Sequence, residues 1–434
     1  MSVITGGDEV NAVVIDVGSG STRVGYAGED TPKAVYPSFL GVATSDGDAM
    51  EVENGGMHPD SQGKKFHTGF SSLSHRKDNM EVVSPFGPEC MFEDMDRVEA
   101  LWDHAFKDRL RLHPEEHPML VCEPSNNPPA TREKLVELAF EKYNPPAVFL
   151  ARNAVLSSFA TGRQTSLLVD SGYKGTTVAA VHDGYVLLKS VTWTPLGGAL
   201  LTECMRRCVD PDATLMKPRY AFKKVERSPG MYEVEPVETP LVRDSYRRYC
   251  INQISADLKE SICRVADSTF VEGENSNIPT VSYELPDGAE IQVGPDRFKV
   301  PEVLFQPDLL STFPGTMDPE FPSGVPSMSL PGIVVECINK CDVDIRRELY
   351  NGAILTGGTS LFSQMRERLE KELVDLAPQA VKVKVMQPVN ATERRFSVWI
   401  GGSILASLGS FQQMWMSKME YEEQGTSLIH RRAP

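Results

Sequence analysis

Hydrophobic positions along the chain fall into short β-branched runs interrupted by glycine turns. Val10 to Ile15 is mostly apolar and β-branched and predicts a buried strand. The glycine-rich VGSGS, Val17 to Ser21, follows it, and a second β-type run covers Arg23 to Ala27. The pattern recurs later: Ser166 to Val169 predicts a buried strand, DSGYKGTTVAAV follows, and Thr176 to Val181 predicts its partner. The same Asp-x-Gly hairpin thus occurs twice, at Asp16 to Gly18 and at Asp170 to Gly172, about one domain apart. This coarse internal repeat predicts two related α/β domains facing each other.

Helical patterns lie around the hairpins. Thr131 to Tyr143 places Leu135, Leu138 and Ala139 at helical spacing after a Thr-Arg-Glu-Lys start, and Asn153 to Ala160 is apolar and helix-like. Ser245 to Val265 carries Ile251, Ile254, Leu258 and Ile262 on one stripe. Gly357 and Gly358 follow a strand at Ala353 to Thr356 and open a helix expected to run to Leu376; Ser403 to Trp415 reads as a further helix or helix pair. Three segments read as surface insertions, mobile or partner-facing: Thr44 to Asp78, Asp210 to Val242, and Leu310 to Ser329 with its four prolines.

Length allows two domains of ordinary size. No stretch approaches the roughly 20 apolar residues of a membrane helix, and Met1 to Asn11 lacks a basic region followed by an apolar run, so no secretory signal is expected. A net charge of -16 repels phosphate backbones, which argues against direct DNA binding as the main task. The best basic patch, Lys217, Arg219, Lys223, Lys224 and Arg227, reads as a solvated loop. Cys204/Cys208 and Cys337/Cys341 are spaced for one helix face each, without the CxxC spacing or neighbouring histidines of a zinc site, so core packing is expected. Scattered thiols suit a reducing compartment.

The glycine turns carry the candidate chemistry. Gly18, Ser19 and Gly20 let backbone N–H groups converge into an anion-binding nest; Ser19 and Ser21 add hydroxyls, and Arg23 a cation. Asp16 and Asp170 supply the two carboxylates that a hydrated Mg²⁺ prefers beside phosphate oxygens. Gly357, Gly358 and Thr359 offer a third close backbone approach at a helix N-terminus. The single-loop GxxxxGK[ST] pattern is absent.

At these residues the chain resembles the actin family. The matching stretches are DVGSGSTRVGYAGEDTPKAVYPS, EEHPMLVCEPSNNPPATREKL, NAVLSSFATGR, DSGYKGTTV, SYELPDGAEIQVGPDRFKVPEVLFQP, KCDVDIRRELY, LTGGTSLF and FSVWIGGSILASLGSFQQMWMSKMEYEE, which cover most of the chain outside the insertions. The resemblance implies an α/β fold of duplicated ribonuclease-H-like domains, the actin, hexokinase and Hsp70 type, with two lobes and four subdomains around a nucleotide cleft. One lobe would span 1–160, with an inserted subdomain at about 41–82, and be completed by 396–434. The other would span 161–395, with an insert at about 200–320. ATP or ADP with Mg²⁺ or Ca²⁺ is implied in the cleft. Phosphate contacts would fall on Gly18, Ser19, Gly20, Ser21, Arg23, Asp170, Ser171 and Gly172. The cation would be held through water by Asp16 and Asp170. The adenosine side would fall on Lys259, Glu260, Gly357, Gly358, Thr359, Phe362 and Arg395.

Three departures concern hydrolysis. Asn153 stands where actin has a water-orienting glutamine, Thr177 replaces a histidine, and Tyr173 replaces an aspartate. A misplacement near 1 Å can cost about 100-fold in rate, so the expectation is an ATP-binding chain that hydrolyses weakly or not at all, not an enzyme in practice. A matching partner groove would be lined by Phe159, Gly162, Gly184, Leu405, Leu408, Ser410 and Met414, suited to a helix. Details such as GGDEV, VHDGY and ERRFSVWIGGSILASLG resemble a nuclear, actin-related class of subunits of chromatin remodellers and histone acetyltransferase complexes. The partners this implies are nuclear actin, a long helix of the scaffold subunit, and histones as a further contact, with no membrane partner. The Thr44 to Asp78 stretch does not resemble the loop by which actin subunits grip their neighbours, so no filament is expected. The alternative is a conventional filament-forming ATPase.

Overall fold

A computed structural model describes residues 11–44, 64–87, 89–271, 273, 278–315 and 327–434. The GGDEV opening, and parts of the first and third expected insertions, lie outside the described residues. Two sheets dominate. The first runs, in spatial order, Met416–Ser417, Ala147–Arg152, Met119–Glu123, Val13–Val17, Ser21–Tyr26 and Ala34–Pro37. The second runs Val385–Met386, Ala353–Thr356, Ser166–Ser171, Thr176–His182 and Tyr185–Val186, with Thr192–Thr194 also paired to Thr176–His182. In both, an antiparallel hairpin has its first strand flanked by two successive parallel strands. The repeat read from the Asp-x-Gly motif is therefore a repeat of sheet topology, and the fold is the mixed α/β, two-lobe architecture of the actin type.

The reason lies in the strands themselves. VVIDV of Val13–Val17 is buried throughout, as a strand covered on both faces must be. The first hydrophobic core draws on residues 12–156 and 398–433, and the second on residues 167–385. Two helices pack closely between the sheets, Asn153–Ala160 and Ala391–Ser407. A Cβ on Gly401 would lie 1.8 Å from the Leu156 carbonyl oxygen, so glycine is what lets these backbones touch.

Several expectations change in detail. The Thr131 to Tyr143 helix is α-helical over Pro129–Leu138 and widens to π turns over Ala139–Tyr143. The 245–265 helix spans Asp244–Ile262, with Leu258 buried and Ile251, Ile254 and Ile262 packed at the edge of the second core. The last long helix begins at Ala391, not at Ser403. Its first turn is polar and capped by Asn390, and its φ/ψ break at Phe396. The second expected insertion is not a structureless loop, because Phe222–Ser228 and Met231–Pro236 form a hairpin. The described part of the first holds a strand, Lys64–His67, and a helix, Gly69–Ser74. The basic patch lies on the hairpin and its approach. Arg227 pairs with Glu233 and Glu235, Lys217 pairs with Asp287, and Lys223 and Lys224 are exposed. Both spaced cysteine pairs pack in the second core.

Candidate nucleotide-binding site

Each hairpin ends its first strand on or beside an aspartate and closes its turn with glycine. The Gly18 N–H donates to the Ser21 carbonyl at 3.1 Å, and the Gly172 N–H to the Gly175 carbonyl at 2.9 Å. Ser19 and Gly20 lie between the strands, so their amides belong to neither sheet ladder. Asp16 faces Arg23 across the ladder, with Arg23 Nη1 2.6 Å from Asp16 Oδ2. A Cβ on Gly18 would come within 2.9 Å of that Nη1, so the guanidinium lies close against the turn. This refines the sequence reading, which gave Asp16 to the cation and Arg23 to phosphate independently. The two side chains are first of all a pair, and the Arg23 Nε is buried without a hydrogen-bond partner in the protein.

The glycine-glycine-threonine turn meets the second hairpin directly. Thr356 pairs in register with Asp170. Gly357 has φ +90°, and a Cβ there would fall 2.2 Å from the Ser171 carbonyl oxygen and 2.6 Å from Asp170 Oδ1. The Thr359 hydroxyl donates to the Gly172 carbonyl at 2.8 Å. The expected long helix after the turn is corrected here. Gly358–Leu361 is a short 3₁₀ turn, Gln364 adopts φ +69°, and the α-helix begins only at Met365. Close backbone approach, not an α-helix N-terminus, is what this turn offers. An α-helix does begin nearby. The N–H groups of Gly198 and Ala199, in the first turn of Gly198–Val209, donate to the Gly172 and Tyr173 carbonyls and brace the second hairpin.

The electrostatics suit a cation. Burial pushes the Asp170 carboxyl up to about 6; Arg23 opposes this and Asp16 adds to it, so the three groups share one neighbourhood. Asn153 Oδ1, at the start of the Asn153–Ala160 helix, and Thr356 Oγ1 are both buried with no partner in the protein. A Cβ on Gly358 would meet nothing within 4 Å. Two neighbouring carboxylates, glycine turns and partnerless polar atoms fit a nucleotide polyphosphate with a divalent cation.

The adenosine-side residues behave unequally. Lys259 is buried and its ammonium donates to the Gly198 carbonyl at 3.0 Å and to Thr202 Oγ1 at 2.9 Å, while burial lowers its pKa. It braces the start of the Gly198–Val209 helix. Glu260 is exposed, Phe362 is half-buried at the edge of the second core, and Arg395 is exposed beside the Phe396 ring. Arg394 is the residue tied to the turn: its carbonyl accepts from the Gly357 N–H at 3.0 Å.

Among the three hydrolytic positions, Thr177 sits opposite Asp170 in the ladder. Tyr173 does more than remove a carboxylate. A Cβ on Gly20 would stand 2.9 Å from Tyr173 Cβ, and the ring meets Phe39 edge-on at 5.7 Å. Its neighbour Lys174 donates its backbone N–H to Ser19 Oγ at 3.2 Å. Lys174 and Phe39 were missed as site residues, and Tyr173 was read only as a lost carboxylate. A lysine inside a glycine turn was the one available signal. In the groove, Leu408 and Met414 are open to solvent together with Ile404, whereas Leu405 is a core residue and Phe159 leans on the first core. Leu405 therefore does not line an open surface. Gly162 and Gly184 form left-handed turns with open space beside them, joined through the Gly184 N–H to the Gln164 carbonyl at 2.8 Å.

The family model for actin matches residues 7–434. The chain is 51% identical over 445 residues to "Actin-related protein 4" of Oryza sativa subsp. indica, covering 99% of this chain and all of that one. It is 50% identical over 443 residues to the protein of that name in Arabidopsis thaliana, with 99% and 100% covered. To the protein so named in Emericella nidulans it is 34% identical over 478 residues, with 98% and 97% covered. Together with the duplicated sheets and their paired glycine hairpins, these likenesses establish that the chain belongs to the actin family.

Proposed function

We propose that the chain clasps ATP or ADP with Mg²⁺ or Ca²⁺ between its two hairpins, turns it over slowly or not at all, and serves as a nuclear scaffold subunit. The observation that carries the nucleotide reading is the meeting of Gly357 with Asp170 and Ser171, with Gly20 of the first hairpin against Tyr173 of the second. The bound cation would supply positive charge that favours both carboxylates in their ionised form and screens the phosphate oxygens. Asp16 and Asp170 would hold it, and the Ser19 and Gly20 amides would receive phosphate. Asn153 and Thr177 support slow turnover: the first is one methylene shorter than a water-orienting glutamine, and the second is no base near neutral pH. A ligand held only by the folded state stabilises that state by mass action.

The scaffold reading places the chain in chromatin-remodelling and histone acetyltransferase complexes, beside nuclear actin on a long helix of a scaffold subunit. It rests on the family likeness and on the relatives' shared name. The exposed Ile404, Leu408 and Met414, and the open turns of Gly162 and Gly184, support helix docking. A pull-down with such a helix and actin tests it. A ternary complex weakened by Leu408→Asp with Met414→Asp is expected. No complex with the folded parent chain would remove the partner claim, and pelleting of the purified chain in polymerising salt would favour a filament-forming ATPase instead.

A further inference from the structure

Lys174 stands at the tip of the second hairpin, yet its side chain crosses to the other lobe. Its Nζ donates to the Phe86 carbonyl at 2.7 Å and to the Gly87 carbonyl at 2.8 Å. Both carbonyls sit on a loop anchored in the first core. Phe86 and Phe92 bridge, their rings stack at 4.8 Å, and the Glu93 N–H donates to the Pro85 carbonyl at 3.0 Å. The same residue's backbone N–H reaches Ser19 in the first hairpin at 3.2 Å. One residue of the second lobe thus holds both the first glycine turn and the loop beside it.

The contacts continue outward along the cleft. Phe39 lies between Tyr173 at 5.7 Å and Tyr249 at 5.4 Å. The Val82 N–H donates to Ser245 Oγ at 3.1 Å, the Asn79 N–H to the Leu241 carbonyl at 2.9 Å, and the buried Tyr246 hydroxyl to the Leu73 carbonyl at 3.0 Å. All of these join residues 39–87 to residues 173–249. A nucleotide lying between the hairpins leaves only when the hairpins part, and parting breaks this strip. Its strongest member is the ammonium on two carbonyls, since hydrogen bonds from a charged donor are about twice as strong as neutral ones.

We propose that Lys174 is a cross-cleft latch: it ties the second hairpin to the first lobe over the bound nucleotide and so slows nucleotide exchange. The proposal rests on the nucleotide reading above and assigns its kinetics to a residue outside the phosphate and cation ligands. Burial lowers the Lys174 pKa, with Glu93 and the Cys90 thiol on the facing loop opposing that effect.

The test uses the full chain loaded with a fluorescent ATP analogue and Mg²⁺, then chased with excess ATP. Lys174→Met is expected to release the analogue about tenfold faster or more, one charge-assisted bond's worth, and Lys174→Arg to recover most of the slow rate. Amide hydrogen exchange across residues 84–93 is expected to quicken in Lys174→Met, which a mere change in ligand affinity does not require. Should that variant not fold, Tyr246→Phe, which removes only the outer hydroxyl, is expected to speed release about threefold. Unchanged release and unchanged exchange in folded variants overturn the latch and leave the nucleotide reading intact. A parent chain that takes up no nucleotide overturns both.

Discussion

At the scale of single residues, the proposed function separates holding a nucleotide from splitting it. Asp16 with Arg23, and Asp170 raised by burial, form a charge arrangement that a cation completes. Asn153 is aligned by the helix it begins, yet its side-chain oxygen is buried and partnerless. One more methylene would carry that amide about a bond length further from the helix. Asn153→Gln combined with Thr177→His is therefore expected to raise phosphate release at least about tenfold while leaving nucleotide retention unchanged. A phosphate-release assay on parent and variant checks this, and an unchanged rate would mean that these positions do not set the slow step.

At the scale of elements, the crossing of Asn153–Ala160 by Ala391–Ser407 fixes one lobe against the other's hairpins. Gly401→Ala would drive a methyl into the Leu156 carbonyl, and Gly402→Ala would crowd Val14 and Leu120. The expected cost of Gly401→Ala is about 3 kcal/mol or more, since backbone cannot yield as a side chain can. Gly409→Ala, where a methyl meets nothing within 4 Å, is the matched control and should be near neutral in urea melts. This crossing also marks how far the sequence could be read. The hairpins were legible because two Asp-x-Gly turns between β-branched runs leave few alternatives. The start of Ala391–Ser407 was not, because ATERR shows no apolar period and the helix breaks at Phe396. The helix assigned from Gly358 failed for a different reason: Gln364 adopts a left-handed backbone that composition does not announce. The contact that Lys174 makes was invisible because its partners are main-chain carbonyls of a distant loop, and carbonyls carry no side-chain signature.

At the scale of the whole molecule, two sheets of the same topology bring equivalent turns face to face, so the cleft follows from the duplication. The tie from Lys174 to Phe86 and the bonds from Ser245 and Tyr246 to Val82 and Leu73 then close it with protein alone. A machine that cycles nucleotide must open often. A chain closed this way suits a ligand kept as part of the fold. The most direct test is to purify the chain, release its nucleotide by denaturation, identify it, and follow ATP turnover in the same preparation. Co-purified adenine nucleotide with no measurable phosphate release is the predicted result. Steady phosphate release that disappears in Asp16→Ala would contradict it.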